Sequence, residues 1–227
     1  NIYFRQRNFE KSLFFLNKMQ EQMERFDSKL YHSREIQFTT LKALVLNYNN
    51  DYKNAETILD KLIGDKKHHM DDLNNLLLTR SIIHFQQKEF KQANTILSKF
   101  NRSDQWYKKK IGIEWLLNKK YVEILLHIEL EHFDYVESKI QSLERSHKDY
   151  FKSNSAFQTL PFLRLIKDYC NNPQNVTSPE FNKKVTKKLN WDTVQQEDVF
   201  LISFYAWLKS KMTKKTLYEV TLQLINN

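Results

Sequence analysis

The chain alternates amphipathic helical segments with short polar breaks. Apolar side chains recur three, four and seven positions apart, a spacing that places them on one face of an α-helix. The clearest segment begins at Tyr52 in "NDYKNAETILDKL", and the same skeleton returns from Phe90 in "KEFKQANTILSKF". Ala follows each aromatic residue three positions later, and Ile and Leu follow six and seven positions later. The pattern predicts two closely related helices.

Two weaker copies extend the series. They begin at Phe9 and Phe133, so the four aromatic residues lie 43, 38 and 43 positions apart. A second apolar helical pattern precedes each of the last three, near 41–48, 73–83 and 122–126. Each unit is therefore predicted to be helix, short turn, helix, and such a repeated face needs neighbouring units to bury it. The inward positions of the four copies are predicted to be Phe9, Ser12, Phe15, Leu16; Tyr52, Ala55, Ile58, Leu59; Phe90, Ala93, Ile96, Leu97; and Phe133, Val136, Ile140.

These residues resemble the tetratricopeptide repeat, in which an aromatic residue at a turn precedes the second helix and Ala follows three residues later. Tyr52 with Ala55 and Phe90 with Ala93 carry the resemblance, which covers about residues 1–145. It implies a right-handed α-solenoid of helical hairpins with a concave groove that holds a protein or peptide partner. Because the first unit lacks most of its first helix, we expect the chain to be the C-terminal part of a longer repeat protein.

The pattern changes after the polar linker at 171–180. Residues 146–227 are predicted to form a helical cap on the last repeat, with a separate small domain as the alternative. Ser178 before Pro179 indicates a helix start, and Thr193 with Gln196 suggests a capping box. The decad 199–208 is apolar nearly all the way round, so it is predicted to be a helix inserted between others, and a final helix is expected near 214–225.

The breaks between units carry their own helix-start signals. Asp71 or Asp72 is the expected N-cap after the second unit, and Ser103 or Asp104 is the expected N-cap after the third.

Composition supports an all-helical chain. Only two Gly and three Pro occur in 227 residues, whereas sheet proteins use both at frequent tight turns. The longest strongly apolar run is ten residues, far below the roughly 20 needed to span a bilayer, so no membrane association is expected. Cys170 has no partner for a disulfide, which favours a cytoplasmic location.

The net charge of +9 raises a second hypothesis for function. Lysine clusters at 108–110, 183–188 and 209–215 suggest binding of nucleic acid or another polyanion, although lysine-rich helix faces are also common simply because they are solvated. Nucleic-acid surfaces usually add interleaved aromatic residues or a known reading motif, and neither accompanies these lysines. Binding of a protein or peptide is therefore the leading hypothesis.

No motif points to catalysis, a cofactor or a metal. Gly64 and Gly112 stand alone, so a phosphate-binding loop is not predicted. The Glu-x-x-His pairs that start at Glu129 and Glu144 are expected at opposite ends of a hairpin, about 20 Å apart. Cys170 has no base placed beside it by a local motif. We expect a non-catalytic chain that holds no cofactor or metal.

A polar column is the candidate site. The repeat register aligns Arg80 and His84 with Glu123 and His127, and the first two fall within an apolar helical arc where polar groups need partners. In one interpretation Arg80 pairs with Glu123 and fixes the register of stacked helices. In the other, the column, together with Lys42, lines the groove and binds a carboxylate or an acidic peptide. Both remain open at this level.

Overall fold

The computed structural model describes residues 2–26, 28–153, 159–190 and 199–226. These residues form fourteen α-helices and two short 3₁₀ turns, Met70–Asp72 and Pro173–Thr177, and no strand occurs among them. The predicted all-α class is thereby confirmed. In the part of the chain that is described, no helix has both the length and the apolar character to cross a membrane.

The contacts divide the chain into two compact units between Asn101 and Arg102. In the first unit, hairpins follow one another along the chain, with α2 packed on α3, α3 on α4 and α5 on α6. Its helices are α1 (Ile2–Arg5), α2 (Phe9–Phe26), α3 (Ser28–Tyr48), α4 (Tyr52–Ile63), α5 (Asn74–Gln86) and α6 (Phe90–Leu97).

The second unit runs to Ile225. Its helices are α7 (Asp104–Lys110), α8 (Ile113–Glu129), α9 (Phe133–Ser146), α10 (Lys148–Ser153), α11 (Thr159–Asn171), α12 (Pro179–Lys188), α13 (Val199–Thr213) and α14 (Leu217–Asn226). The boundary between compact units therefore precedes the 145/146 division expected from the repeat pattern. The physical reason is that α13 packs on α8 and α11 packs on α9, so the last hairpin and the C-terminal helices share a core.

Four hairpins use the same three-residue turn. It joins α1 to α2, α3 to α4, α5 to α6 and α8 to α9, and its last residue donates its backbone N–H to the carbonyl five positions earlier at 2.8–2.9 Å. This bond identifies a Schellman turn, whose central residue is left-handed. The central residues are Arg7, Asn50, Lys88 and Glu131, with φ of 58°, 63°, 63° and 61°. Because non-glycine residues take this conformation, a chain with two Gly still forms tight hairpins.

The position three residues after each aromatic lies in the core. Ser12 is 5% exposed, Ala55 and Ala93 are fully buried, and Val136 is 1% exposed. A small or β-branched side chain at this point allows the second helix of a hairpin to pack closely on its neighbour. The inward assignment of Phe15 is wrong, because its side chain is 49% exposed.

Two predicted helix starts are confirmed and one is wrong. Ser103 caps α7 by accepting from the Trp106 N–H at 3.2 Å, and Ser178 caps α12 by accepting from the Phe181 N–H at 3.1 Å. Asp71 and Asp72 do not cap α5, because they belong to a 3₁₀ turn and the helix begins two residues later.

The apolar decad is buried as expected. It lies in α13, whose Trp207 is 1% exposed and Leu208 fully buried. The proposed capping box of Thr193 and Gln196 lies outside the described residues. The last helix begins three residues later than expected, after a capping box that the sequence reading missed: the Thr216 N–H donates to a Glu219 carboxylate oxygen at 3.0 Å, and the Glu219 N–H donates to Thr216 Oγ1 at 3.2 Å.

Candidate functional site

The first unit holds three of the five predicted column residues. Lys42 lies on α3, and Arg80 and His84 lie one turn apart on α5. The Lys42 ammonium donates to Gln20 Oε1 on α2 at 2.7 Å and lies 5.9 Å from the centre of the Phe38 ring. Burial lowers the pKa of Lys42, and the Glu24 carboxylate opposes that effect. Lys42 therefore links α2 to α3.

Arg80 has an acidic partner from the preceding hairpin. Its Nε lies 2.7 Å from Asp60 Oδ1 on α4, with the Arg80 side chain 22% exposed and that of Asp60 49% exposed. The expectation that Arg80 needs a partner is therefore met within its own unit. Its pairing with Glu123 stays a prediction.

His84 lies between two carboxylates. Its Nδ1 is 2.5 Å from Glu89 Oε2 and 3.3 Å from Glu56 Oε1. Glu89 is the last residue of the α5–α6 turn, whose backbone bond already joins it to the His84 carbonyl, and Glu56 comes from α4. We call these three residues the His84 cluster. Their candidate ligand atoms all lie within 4.8 Å of one another.

The imidazole of the His84 cluster is removed from water, whereas the side chains of Glu56 and Glu89 are 23% and 41% exposed. The His84 residue is only 7% exposed, and its other ring nitrogen, Nε2, is buried without a hydrogen-bond partner among the described residues. Burial raises the pKa of the Glu56 carboxyl; His84 opposes this shift, and the nearby Glu89 and Asp60 carboxylates add to it. Two partly exposed carboxylates therefore lie beside one buried imidazole.

The second unit holds the other two column residues. Glu123 and His127 lie one turn apart on α8, but they have separate partners. Glu123 pairs with Lys119 and Lys120. His127 Nδ1 lies 3.1 Å from His132 Nδ1 across the α8–α9 turn, and burial, then the charge of His132, lowers the pKa of His127. Continuity of the column across the two units stays a prediction.

The outward side of α2 carries a feature that the column did not include. Phe14, Phe15 and Met19 are 55%, 49% and 45% exposed. The Lys18 ammonium lies 5.7 Å from the centre of the Phe14 ring, and Lys11 lies seven residues before Lys18, on the same side of the helix. We call these five residues the α2 outer face.

A basic depression lies in the second unit between α9, α10 and α11. It is an open cavity of about 570 Å³, and Phe151 and Leu160 are the apolar residues of its lining. The basic residues that line it are Arg145, Lys148, Lys152, Arg164 and Lys167. Lys167 pairs with Glu144 at 3.3 Å, whereas the structure gives the other four no ion pair within the described residues. The lysine clusters singled out in the sequence do not form this depression.

Those clusters are partly neutralised. Lys184 and Lys188 both approach Asp168, at 2.6 and 3.8 Å. Lys211 lies 2.7 Å from Glu129. The lysines at 108–110 remain exposed. The three lysine clusters therefore do not form a basic surface that is free of acidic partners throughout.

The two glutamates of the Glu-x-x-His pairs have structural partners. Glu129 accepts a hydrogen bond from the Trp207 indole at 2.6 Å, and Glu144 pairs with Lys167. Burial raises the pKa of the Cys170 thiol to about 11, so the reactive thiolate is scarce at neutral pH. Each glutamate therefore has a polar partner other than the histidine three residues later.

Comparison with protein-family models, with curated proteins and with solved structures finds no match for this chain. A functional proposal therefore rests on the surfaces and clusters just described.

Proposed function

We propose that this chain is a non-catalytic helical-repeat module of the tetratricopeptide type, arranged as a right-handed solenoid, that binds an acidic amphipathic segment of another protein. The observation that carries the binding role is the α2 outer face. Support for the repeat architecture comes from the Schellman turn that recurs four times, each time two residues before the start of the next helix.

The apolar part of the α2 outer face can supply binding energy. Two phenylalanines and a methionine on one helix are each about half exposed, and exposed apolar groups of this kind mark protein interaction sites. Burying such a side chain contributes about 1.5–3 kcal/mol when it starts fully exposed. Phe15 is also held in place, because its ring stacks on Tyr3 with centroids 5.1 Å apart. A rigid aromatic anchor loses little entropy on binding.

The charged part of the α2 outer face selects the partner. Lys11 and Lys18 are separated by seven residues, and by helical position they lie between Phe14 on one side and Phe15 on the other. An amphipathic helix that covers the three apolar side chains also covers these two ammonium groups. Carboxylates at the positions that face them are favourable, and lysines there are repelled.

The test is a display selection of helical peptides on the intact chain, followed by anisotropy measurements with the selected peptides. We expect apolar residues at i, i+3 or i+4, and i+7, with Asp or Glu on the same face between them. Phe14→Ala is expected to weaken binding by about tenfold, which corresponds to the loss of about 1.4 kcal/mol. Met70→Ala is the matched control, because Met70 is 47% exposed in the same unit and lies off this face.

Two results would contradict the proposal. One is selection of lysine-rich peptides, and the other is peptide binding that Phe14→Ala leaves unchanged. Because both residues replaced are exposed, the variants are expected to retain the circular dichroism spectrum and the thermal midpoint of the parent chain.

Polyanion binding is the second candidate function, and the basic depression favours it. Five basic side chains there surround one acidic residue, Glu144. Binding of an arbitrary single-stranded RNA should weaken steeply with salt, because each neutralised phosphate releases counterions. Lys148→Glu with Lys152→Glu is expected to reduce the slope, and Lys183→Glu with Lys187→Glu is the matched control. Absence of RNA binding at low salt would refute this candidate.

A further inference from the structure

We propose that the His84 cluster binds one divalent transition-metal ion, of the Zn²⁺ class. The cluster brings one imidazole nitrogen and two carboxylates to one point from α4, α5 and the α5–α6 turn. It is separate from the α2 outer face, so it adds a site beyond the proposed function. The inference rests on the geometry, burial and donor chemistry of these three residues.

The donor set favours a transition metal. Imidazole nitrogen is a preferred ligand of Zn²⁺, Cu²⁺, Ni²⁺ and Fe²⁺, whereas Ca²⁺ and Mg²⁺ select all-oxygen sites. One imidazole with two carboxylates leaves a fourth position for water, an arrangement seen at open zinc sites. The cluster therefore predicts selectivity for Zn²⁺ over Mg²⁺.

One of the two measured distances already fits a bound ion, and the other has to lengthen. Ligand atoms about 2.0–2.2 Å from a tetrahedral ion lie about 3.3–3.6 Å from one another. The separation between His84 Nδ1 and Glu56 Oε1 is already 3.3 Å. The 2.5 Å contact to Glu89 has to lengthen, and the Glu89 side chain is 41% exposed at the end of a turn, so it can rotate without disturbing the core.

The charge balance also favours a cation. Two carboxylates approach one imidazole nitrogen, so the ligand set carries negative charge that a bound cation neutralises. The neighbouring Arg80 is paired with Asp60, so its charge is largely compensated.

A second hairpin provides an internal control. His127 and His132 occupy the same turn positions as His84 and Glu89, with their Nδ1 atoms 3.1 Å apart. Among the described residues no carboxylate joins this histidine pair as a third metal ligand. Two ligands alone are expected to bind more weakly than three.

The experiment titrates the tag-free, chelator-stripped full chain with Zn²⁺ by calorimetry and with Co²⁺ by visible absorption. We expect one ion per chain and no competition by millimolar Mg²⁺. Glu89→Gln is expected to reduce affinity at least about tenfold, since even second-layer substitutions cost about 10–100-fold.

The variants separate this site from the alternatives. Glu56→Gln and His84→Ala are expected to weaken binding and remove the Co²⁺ band, and His132→Ala is expected to change neither. Glu89→Gln is nearly isosteric at a partly exposed position, so this variant is expected to fold. Circular dichroism checks its folded state, and the test therefore stays valid even when His84→Ala unfolds. Three results overturn the proposal: no Zn²⁺ binding at about micromolar concentration, equal binding in Glu89→Gln, or binding that is lost in His132→Ala.

Discussion

Glu129 is expected to be a major stabilising residue of the second unit. It lies at the end of α8, and its carboxylate accepts from the Trp207 indole N–H of α13 at 2.6 Å and lies 2.7 Å from the Lys211 ammonium. Trp207 is 1% exposed, so its N–H has no access to bulk water when the acceptor is removed. The substitution Glu129→Ala tests how much this buried hydrogen bond contributes to the free energy of unfolding.

The magnitude follows from the exposure of the two partners. Leaving the buried indole N–H unsatisfied costs about 1–3 kcal/mol. Lys211 is 29% exposed, so it turns to water and its lost ion pair costs at most about 1 kcal/mol. We expect Glu129→Ala to lower the free energy of unfolding by about 2–3 kcal/mol, and Glu129→Gln, which keeps an oxygen acceptor, to lower it by less than about 1 kcal/mol.

Urea unfolding followed by far-ultraviolet circular dichroism measures these differences without relying on tryptophan fluorescence. The variant Trp207→Phe completes a double-mutant cycle, because it removes the donor and keeps an aromatic ring in the core. The expected coupling between Glu129 and Trp207 is about 1–2 kcal/mol. Equal losses for Glu129→Ala and Glu129→Gln, or strict additivity in the cycle, would refute the assignment of a buried hydrogen bond.

Four further predictions follow from individual residues. Lys88 has φ of 63°, a conformation that costs an L side chain about 1–2 kcal/mol, so Lys88→Gly is expected to raise unfolding stability and Lys88→Ala is not; equal urea midpoints for the two would contradict this. Ala93 is fully buried, so Ala93→Leu is expected to cost about 1–3 kcal/mol by overpacking, and an unchanged thermal midpoint would count against it. Because burial raises the pKa of Cys170 to about 11, a thiol-reactive dye at neutral pH is expected to label the native chain at least about tenfold more slowly than the urea-unfolded chain; equal rates would contradict the burial. Arg80→Ala is expected to cost only about 1 kcal/mol, because its partner Asp60 is half exposed, whereas a much larger fall in melting temperature is what the Arg80–Glu123 pairing predicts.

The hairpins could be predicted from sequence because their signals are local. A helix closes its hydrogen bonds four residues apart, so apolar spacing marks it directly. The aromatic residues at Tyr52, Phe90 and Phe133 each begin a helix as expected. The turns that precede them were not recognised as Schellman turns, because Asn50, Lys88 and Glu131 lack the Gly that usually signals left-handed backbone.

The candidate site was predictable only in part. Arg80 and His84 could be recognised as polar groups in an apolar arc. The partner Glu89 could not, because the Schellman turn that brings it to His84 carries no Gly at its centre. Glu56 and Asp60 could not be chosen in the same way. They lie outside the apolar positions of α4, and only the packing of α4 on α5 brings them to the cluster.

By itself, the sequence determined the helical class of this protein, the positions of its hairpins and the small residues at their packing points. Tertiary structure decided which polar groups meet, which division of the chain is compact, and that Phe15 faces outward. The reason is that periodicity acts over a few residues, whereas a contact such as Trp207 with Glu129 joins positions 78 residues apart. No local pattern encodes that contact, because it depends on how α8 and α13 pack in the finished core.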